Sequence, residues 1–299
     1  MPGRHRSSVM TPPSARLVPR RLPAAWAVMA AAAIVLAASV IVLNVFVDGA
    51  KSPPEAQKRV SVFQQATNAL LNGEWRVTGR GVFGADNISI EVNPDGTKYV
   101  RVSFPGGSAS PTVTRDHNRP VGGAQFYVVP RSSLPLGNVV RLRYRVRFER
   151  DFPWVKGGKL PGLYGGTVLN GGHIPDGTNG FSTRFVWRAG GAGEVYAYLP
   201  SSRDHGTSLG RGDWHFESGR WAAIEQIVRL NTPGEHNGSI DVTYNGVQVR
   251  HDTGLVFRTA GSLKIDGVFF SSFFGGDDTS WATPRTTHVD FASFSTASH

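Results

Sequence analysis

The sequence predicts an all-β domain, a two-sheet antiparallel sandwich of jelly-roll type. The 36 glycines and 19 prolines are spread along the 299 residues, a composition typical of short elements joined by tight turns. Many short segments alternate apolar and polar residues, the period of a strand with one buried face. About ten to fourteen such strands, without a convincing long helix, favour a sandwich over helical or mixed folds.

The N-terminal residues differ in composition from the rest of the chain. Residues 1–22 are basic and rich in proline and serine, which predicts a disordered tail. Residues 23–47 are apolar and uncharged, and a bilayer-spanning helix needs ~20 such residues, whereas a signal-peptide core has about 7–15. We therefore predict a single transmembrane signal anchor, with a removed signal peptide and a secreted protein as the alternative. The basic tail places the C-terminal domain outside the cytoplasm.

Residues 48–75 are interpreted as a linker in which a short amphipathic helix can form, and residues 76–299 as the β domain. The turn sequence Asn245–Gly246 is a strong signal for a β-hairpin. The predicted strands are Ile88–Val92, Lys98–Phe104, Gln125–Val129, Val140–Phe148, Phe181–Arg188, Glu194–Leu199, Trp221–Leu230, Ser239–Tyr244, Val247–His251, Leu263–Phe274 and Val289–Phe294.

The strand Val140–Phe148 has the sharpest alternation in the chain. Its apolar face is followed by a row of four arginines on the opposite face: Arg141, Arg143, Arg145 and Arg147. Such a row is either an anion-binding surface or a solvated face whose arginines pair with acids on neighbouring strands. Both interpretations stay open at this point.

The central stretch, residues 156–200, carries the candidate site. In Phe181–Arg188 the mostly apolar residues alternate with a set that includes Ser182 and Arg184. In Glu194–Leu199 the polar face carries Glu194, Tyr196 and Tyr198, and the AGGAG segment between the two runs is typical of a hairpin connection. If the strands pair, one face of the ribbon presents a hydroxyl, guanidinium groups and two phenols.

A lysine is expected to approach this face from the glycine-rich segment KGGKLPGLYGG, which is interpreted as a loop. Lys159 is the predicted residue and Lys156 is the competing one. The segment does not match the spacing of a phosphate-binding loop.

Composition limits the available chemistry. The chain has no cysteine, and its nine histidines are scattered, so we expect no disulfide, no metal site and no cofactor. It lacks the G-x-S-x-G nucleophile motif, and Glu194 is the single acid on the candidate face, whereas a glycoside hydrolase needs two carboxylates. The net charge of +10, half of it in the first 51 residues, is compatible with an anionic partner.

The motifs GGAQFYVVP, GGKLPGLYGG, GFSTRFVWR, GEVYAYLP and FFSSFFGGDDTSWATP, in this order, resemble polysaccharide lyase family 14, the alginate lyase and glucuronan lyase-like enzymes. The resemblance extends from about residue 81 to residue 294. It implies a β-jelly roll and β-elimination of a 1,4-linked uronic acid polymer. Matching the motifs residue by residue places its site on Lys159, Ser182, Arg184, Tyr196 and Tyr198.

These residue types suit a lyase. Removal of the proton at C5 of a uronate needs stabilisation of the charge that develops on the carboxyl group, a task for Arg184 or Lys159 with Ser182 as a further donor. Tyrosine can act as base, as acid or as both, and we slightly prefer Tyr196 as the base. The less specific interpretations are an ion pair between Arg184 and Glu194, tyrosines chosen for strand propensity, and Lys159 as an ordinary loop residue.

The predicted partners are an acidic polysaccharide and, through residues 23–47, the membrane. No nucleic acid partner is expected, because the domain is placed outside the cell, and a monomer is expected. The rival function is a non-catalytic carbohydrate-binding module on the same sandwich, with the tyrosines as stacking platforms.

Overall fold

The computed structural model describes residues 54–71, 73–132, 134–167 and 171–299. From Pro54 onward the chain forms one compact unit. The described residues contain two α-helices, α1 (Pro54–Leu70) and α2 (Pro111–Asp116). Their fourteen strands are β1 (Trp75–Phe83), β2 (Ile88–Val92), β3 (Lys98–Phe104), β4 (Ala124–Pro130), β5 (Val139–Phe148), β6 (Gly157–Gly166), β7 (Gly180–Arg188), β8 (Gly193–Tyr198), β9 (Thr207–Leu209), β10 (Trp221–Arg229), β11 (Gly238–Tyr244), β12 (Val247–Leu255), β13 (Gly267–Phe274) and β14 (Thr287–Ser298).

The strands form two seven-stranded sheets. The front sheet has the order β1-β4-β13-β6-β7-β8-β9, and the back sheet has the order β12-β11-β10-β5-β14-β3-β2. Every pairing between these strands is antiparallel. The predicted all-β two-sheet antiparallel sandwich is therefore confirmed.

The core lies between the sheets and is rich in aromatic rings. The period-2 pattern of β5 puts Leu142, Tyr144, Val146 and Phe148 into this core, while the intervening arginines face outward. Trp187 of β7 meets Phe104 and Phe274 edge to face at the centre. Burying each such ring removes apolar surface from water, which stabilises the fold by roughly 1.5–3 kcal/mol per large side chain.

Helix α1 occupies part of the segment that was interpreted as a linker. Its Phe63 is fully buried and stacks on Phe126 of β4, with the ring centroids 4.9 Å apart. The folded unit thus begins at Pro54 rather than at residue 76. The predicted tail (1–22) and signal anchor (23–47) lie outside the described residues. None of the helices described is long and apolar enough to cross a membrane.

The glycine-rich segment that was predicted to be a loop is strand β6, in the middle of the front sheet. A Cβ atom on Gly158 would lie 2.1 Å from the Trp187 ring, and one on Gly162 would lie 2.1 Å from the carbonyl oxygen of Thr183. These glycines allow neighbouring strands to pack closely and do not form turns. A glycine-rich composition is also typical of loops, which is why a loop was expected here. The short strand β9 and the first strand, β1, were not predicted.

The arginine row on β5 combines both interpretations offered above. Arg147 forms a salt bridge of 2.7 Å with the buried carboxylate of Asp290, and Arg141 lies 4.0 Å from Glu225. Arg145 instead stacks on Trp221 of β10. The row is thus partly a paired sheet face and partly an open cationic surface.

We expect Gly162→Ala to lower the free energy of unfolding by at least about 2 kcal/mol, because the new methyl group meets backbone atoms of β7 that cannot rotate away. Thermal or chemical denaturation measures this change. Gly79→Ala on β1 is the matched control, since nothing lies within 4 Å of its added Cβ. Equal stability of the two variants would contradict the close-packing account.

Candidate active site

Three neighbouring strands of the front sheet bring the predicted residues onto its outer face. Strand β7 pairs with β8 so that Arg184 lies opposite Tyr196 and Ser182 lies opposite Tyr198. The predicted hairpin is confirmed, with a 3-10 turn at Ala189–Gly191. On the other side of β7, strand β6 places Lys159 opposite Val186. The register alone therefore gathers all five predicted residues.

Arg184 is a buried cation. Its side chain is 2% exposed, its Nη1 donates to Ser271 Oγ at 3.2 Å, and its guanidinium lies 4.5 Å from the centroid of the Phe269 ring. Its Nε has no hydrogen-bond partner among the described residues. Nowhere in the described part of the chain does a carboxylate form a salt bridge with it. Burial accordingly lowers the pKa of this guanidinium. Within the described residues, the site therefore holds a desolvated positive charge without a counterion.

The sequence of β6 allows this arginine to cross the sheet. Gly162 stands between Arg184 on β7 and Phe269 on β13 in one cross-strand row. Because Gly162 has no side chain, nothing from β6 separates the guanidinium from Phe269 and Ser271. The glycine that permits close strand packing therefore also shapes the floor of the site.

Lys159 lies against the aromatic part of the site. Its Nζ is 3.7 Å from the centroid of the Tyr196 ring. Burial, and then the positive charges of Arg184 and Arg188, lower the pKa of Lys159 well below its ordinary value. This environment favours the neutral amine, which can accept a proton, over the ammonium ion.

The two tyrosines form an edge-to-face pair whose ring centroids are 5.7 Å apart. Burial, followed by the proximity of Tyr198, raises the pKa of Tyr196. The Tyr196 phenol is therefore protonated at neutral pH and is a proton donor in the unliganded protein. Ser182, opposite Tyr198, is fully buried.

Glu194 does not pair with Arg184, so that less specific interpretation is wrong. The carboxylate is 0% exposed and accepts hydrogen bonds from Arg188, from Ser208 Oγ at 2.6 Å and from Arg211 Nε at 2.7 Å. Burial raises its pKa, but these hydrogen bonds and the charge of Arg188 outweigh that effect and leave the pKa below its ordinary value. Strand register explains the difference, because Glu194 lies opposite Val186. Glu194 is thus an ionised structural group.

Lys156, the competing lysine, is not part of the site. Its Nζ donates to Ser280 Oγ and lies 5.7 Å from the centroid of the Trp281 ring. Lys159 is the lysine that reaches the tyrosines. Its expected approach from a loop is corrected to an approach from strand β6.

Sequence reasoning missed the contributions of β13 and of the β9 region. Phe269 and Ser271 contact Arg184, while Ser208 and Arg211 hold Glu194. The two serines within the apolar run VFFSSFF were the available signal, but both faces of this strand are packed, so its sequence does not mark which face borders the site. The described residues contain no cluster of three or more histidine, aspartate and glutamate side chains arranged to hold a metal ion.

Comparison with known proteins supports a family assignment. The family model described as polysaccharide lyase 14 matches residues 92–294. No match was found among curated proteins. Among solved structures, the marine family 14 alginate lyase from Aplysia kurodai is 32% identical with a TM-score of 0.65, covering 73% of this chain and 90% of its own.

Two more distant structures share the fold. The alginate lyase vAL-1 from Chlorella virus is 22% identical, with a TM-score of 0.66 and coverage of 79% of this chain and 97% of its own. The endo-β-1,4-glucuronan lyase from the fungus Trichoderma reesei is 11% identical, with a TM-score of 0.51 and coverage of 77% and 93%. With the family model spanning most of the sandwich, and an alginate lyase related to it at the level of sequence, the chain belongs to polysaccharide lyase family 14 and is a polysaccharide lyase.

Proposed function

We propose that this lyase cleaves a 1,4-linked uronic acid polymer, alginate or glucuronan, by β-elimination. The observation that carries the proposal is the buried guanidinium of Arg184, which has a free Nε and lacks a carboxylate partner among the described residues. Leaving a charged group unpaired in this way costs a protein stability. A uronate carboxylate would supply the missing counterion.

The position of this charge suits the difficult step of the reaction. The C5 proton of a uronate lies α to the carboxylate, so its removal places negative charge on the carboxyl oxygens. A preorganised donor that is already desolvated stabilises that charge without reorganising at the moment of reaction. We assign this role to Arg184, with the Ser182 hydroxyl on the same strand as a further donor.

The electrostatics of the site favour Lys159 as the proton acceptor and Tyr196 as the proton donor. The lowered pKa of Lys159 favours a neutral amine, and the raised pKa of Tyr196 favours a phenol. This reverses the slight preference for Tyr196 as the base. The lysine takes the C5 proton, the bond from C4 to the glycosidic oxygen breaks, a C4–C5 double bond forms, and the phenol protonates the leaving oxygen.

The step creates an ammonium and a phenolate next to each other. The Lys159 Nζ already lies 3.7 Å from the centroid of the Tyr196 ring, and opposite charges attract strongly where water is excluded. A proton can then return from the lysine to the tyrosine and reset the site. Tyr198 packs edge-on against Tyr196 and holds its ring in place.

The substrate class follows from the charge of the site and from the relatives. The Arg184 guanidinium lies on this face, and the nearby acid, Glu194, is already neutralised by Arg188 and Arg211. The related structures include alginate lyases and a glucuronan lyase. We extend the proposal to an extracytoplasmic domain tethered through residues 23–47 and acting as a monomer.

The first prediction concerns activity. The full chain, mixed separately with polymannuronate, polyguluronate and polyglucuronate, should produce an unsaturated uronate that absorbs in the far ultraviolet with at least one polymer. Tyr196→Phe and Arg184→Ala should each reduce the rate by about 10²-fold or more, since each removes a group used in the transition state. Retained binding of all three polymers without any absorbance rise would instead support a carbohydrate-binding module.

The second prediction separates the two roles open to Lys159. If the neutral amine is the base, kcat/KM should rise with pH through the lowered pKa of Lys159 and fall only when the Tyr196 phenol ionises, above its ordinary value of ~10. Lys159→Arg keeps the positive charge but cannot deprotonate near neutral pH. We expect this variant to fold and to be inactive. Substantial activity in Lys159→Arg would show that the lysine acts only as a cation and that a tyrosine is the base.

The third prediction concerns stability. Arg184→Met replaces a buried, partly unsatisfied cation by an apolar chain of similar length, so the unfolding midpoint should stay level or rise while lyase activity is lost. A thermal melt beside an activity assay measures both. A large fall in the midpoint would contradict the view that Arg184 is held for function and would make it a structural residue.

A further inference from the structure

A cavity lies on the outer face of the back sheet, on the side of the sandwich opposite to the candidate active site. Its volume is about 390 Å³, within the range of roughly 300–1,000 Å³ that is typical of ligand sites. One wall is the turn between β2 and β3 with Lys98, the other is Arg145 with Trp221, and the floor is Ala292 and Ser293 of β14. None of the five active-site residues lines it.

The wall around Trp221 combines an aromatic ring with guanidinium groups. The ring centroid lies 5.2 Å from the Arg145 guanidinium and 4.6 Å from that of Arg147, and Tyr99 meets the ring edge-on at 5.9 Å. Arg147 forms a salt bridge with the buried carboxylate of Asp290. The indole is therefore fixed in place with its flanking cations already oriented.

The two arginines differ in how their charge is neutralised. The Arg147 guanidinium donates hydrogen bonds from Nε and Nη2 to the Asp290 carboxylate. Arg145 is exposed and, within the part of the chain that the structure describes, makes neither a hydrogen bond nor an ion pair. Asp95, the acid of the cavity, accepts from the Thr97 amide at 2.9 Å and from the Thr97 hydroxyl at 2.6 Å; these hydrogen bonds, and to a lesser degree the charge of Arg145, lower the pKa of Asp95. Arg145 and Lys98 thus remain available to an anion.

The floor of the cavity is built by an irregularity in β14. The pairing of β14 with β5 shifts register between Ala292 and Ser295, and Ser293 has a positive φ of 55°. A residue other than glycine in this left-handed region is strained by roughly 1–3 kcal/mol, and such outliers cluster at functional sites. Here the bulge leaves two small residues between the walls, which opens the groove above them.

We propose that this cavity is a second, non-catalytic binding site for an acidic polysaccharide. Arg145 and Lys98 bind uronate carboxylates, and the face of Trp221 packs against a pyranose ring. The choice of uronate polymers as the ligand rests on the proposed function of the front sheet. A site on the opposite sheet would hold the enzyme on its polymer while the active site engages another segment, which raises the effective substrate concentration.

The test compares two arginines of the same strand and the same face. Arg145→Gln removes a charge that lines the cavity, whereas Arg143→Gln removes an exposed charge that does not. Retention of each full-length variant on immobilised polymannuronate, polyguluronate and polyglucuronate is measured, together with its rate on a short oligosaccharide. We expect Arg145→Gln to lose retention roughly fivefold to tenfold, one charge-assisted contact, with an unchanged rate on the oligosaccharide. Arg143→Gln should lose less than about twofold.

Three other outcomes would overturn the site. Equal losses in the two variants would indicate diffuse electrostatic attraction, and no loss in either would show that the cavity does not bind the polymer. Displacement of the polymer by vesicles containing anionic phosphatidylserine, dependent on Arg145, would assign the surface to a membrane. Retention that depends on Arg145 without cleavage of any polymer would support this site and refute the proposed lyase chemistry.

Discussion

The close approach of β6 to its neighbours is the constraint on which the front sheet depends. Gly158 and Gly162 leave no room for a side chain against β7 and β13, so the sheet remains continuous only with glycine at these places. The same strand delivers Lys159 to the active face and lets Arg184 reach across to Ser271. The packing of the front sheet and the proposed chemistry therefore depend on the same short glycine-rich segment.

Arginine has opposite roles on the two sheets. On the back sheet, Asp290 neutralises both Arg101 and Arg147, a pairing that fastens β3, β14 and β5 together. On the front sheet, Arg184 is more deeply buried and has no such partner among the described residues. A stable fold alone would not retain an uncompensated cation. The contrast supports the proposal that the charge of Arg184 is retained for a ligand, whereas the charges of Arg101 and Arg147 stabilise the fold.

Much of the fold could be predicted because half-buried strands reveal their faces through a period of two. Strands such as Ile88–Val92 and Lys98–Phe104 have the predicted bounds. Strand β6 escaped prediction, because glycine is common both in turns and at close strand contacts. Motifs and alternation placed the five candidate residues on one face, and the strand register brings them together there. The partners of Glu194 were not predicted, because Arg211 and Ser208 arrive from a later segment whose position depends on tertiary packing.

Helix α1 contacts β1, at one edge of the front sheet, and also β2 and β3, at the edge of the back sheet. Exposed sheet edges offer unpaired backbone groups to other chains and promote aggregation. The helix thus covers the edges of both sheets on this side of the sandwich, and its Phe63 packs on Phe126. A recombinant fragment that began at β1 would lack this helix and expose both sheet edges. Such a fragment would lose solubility even with the candidate active site intact.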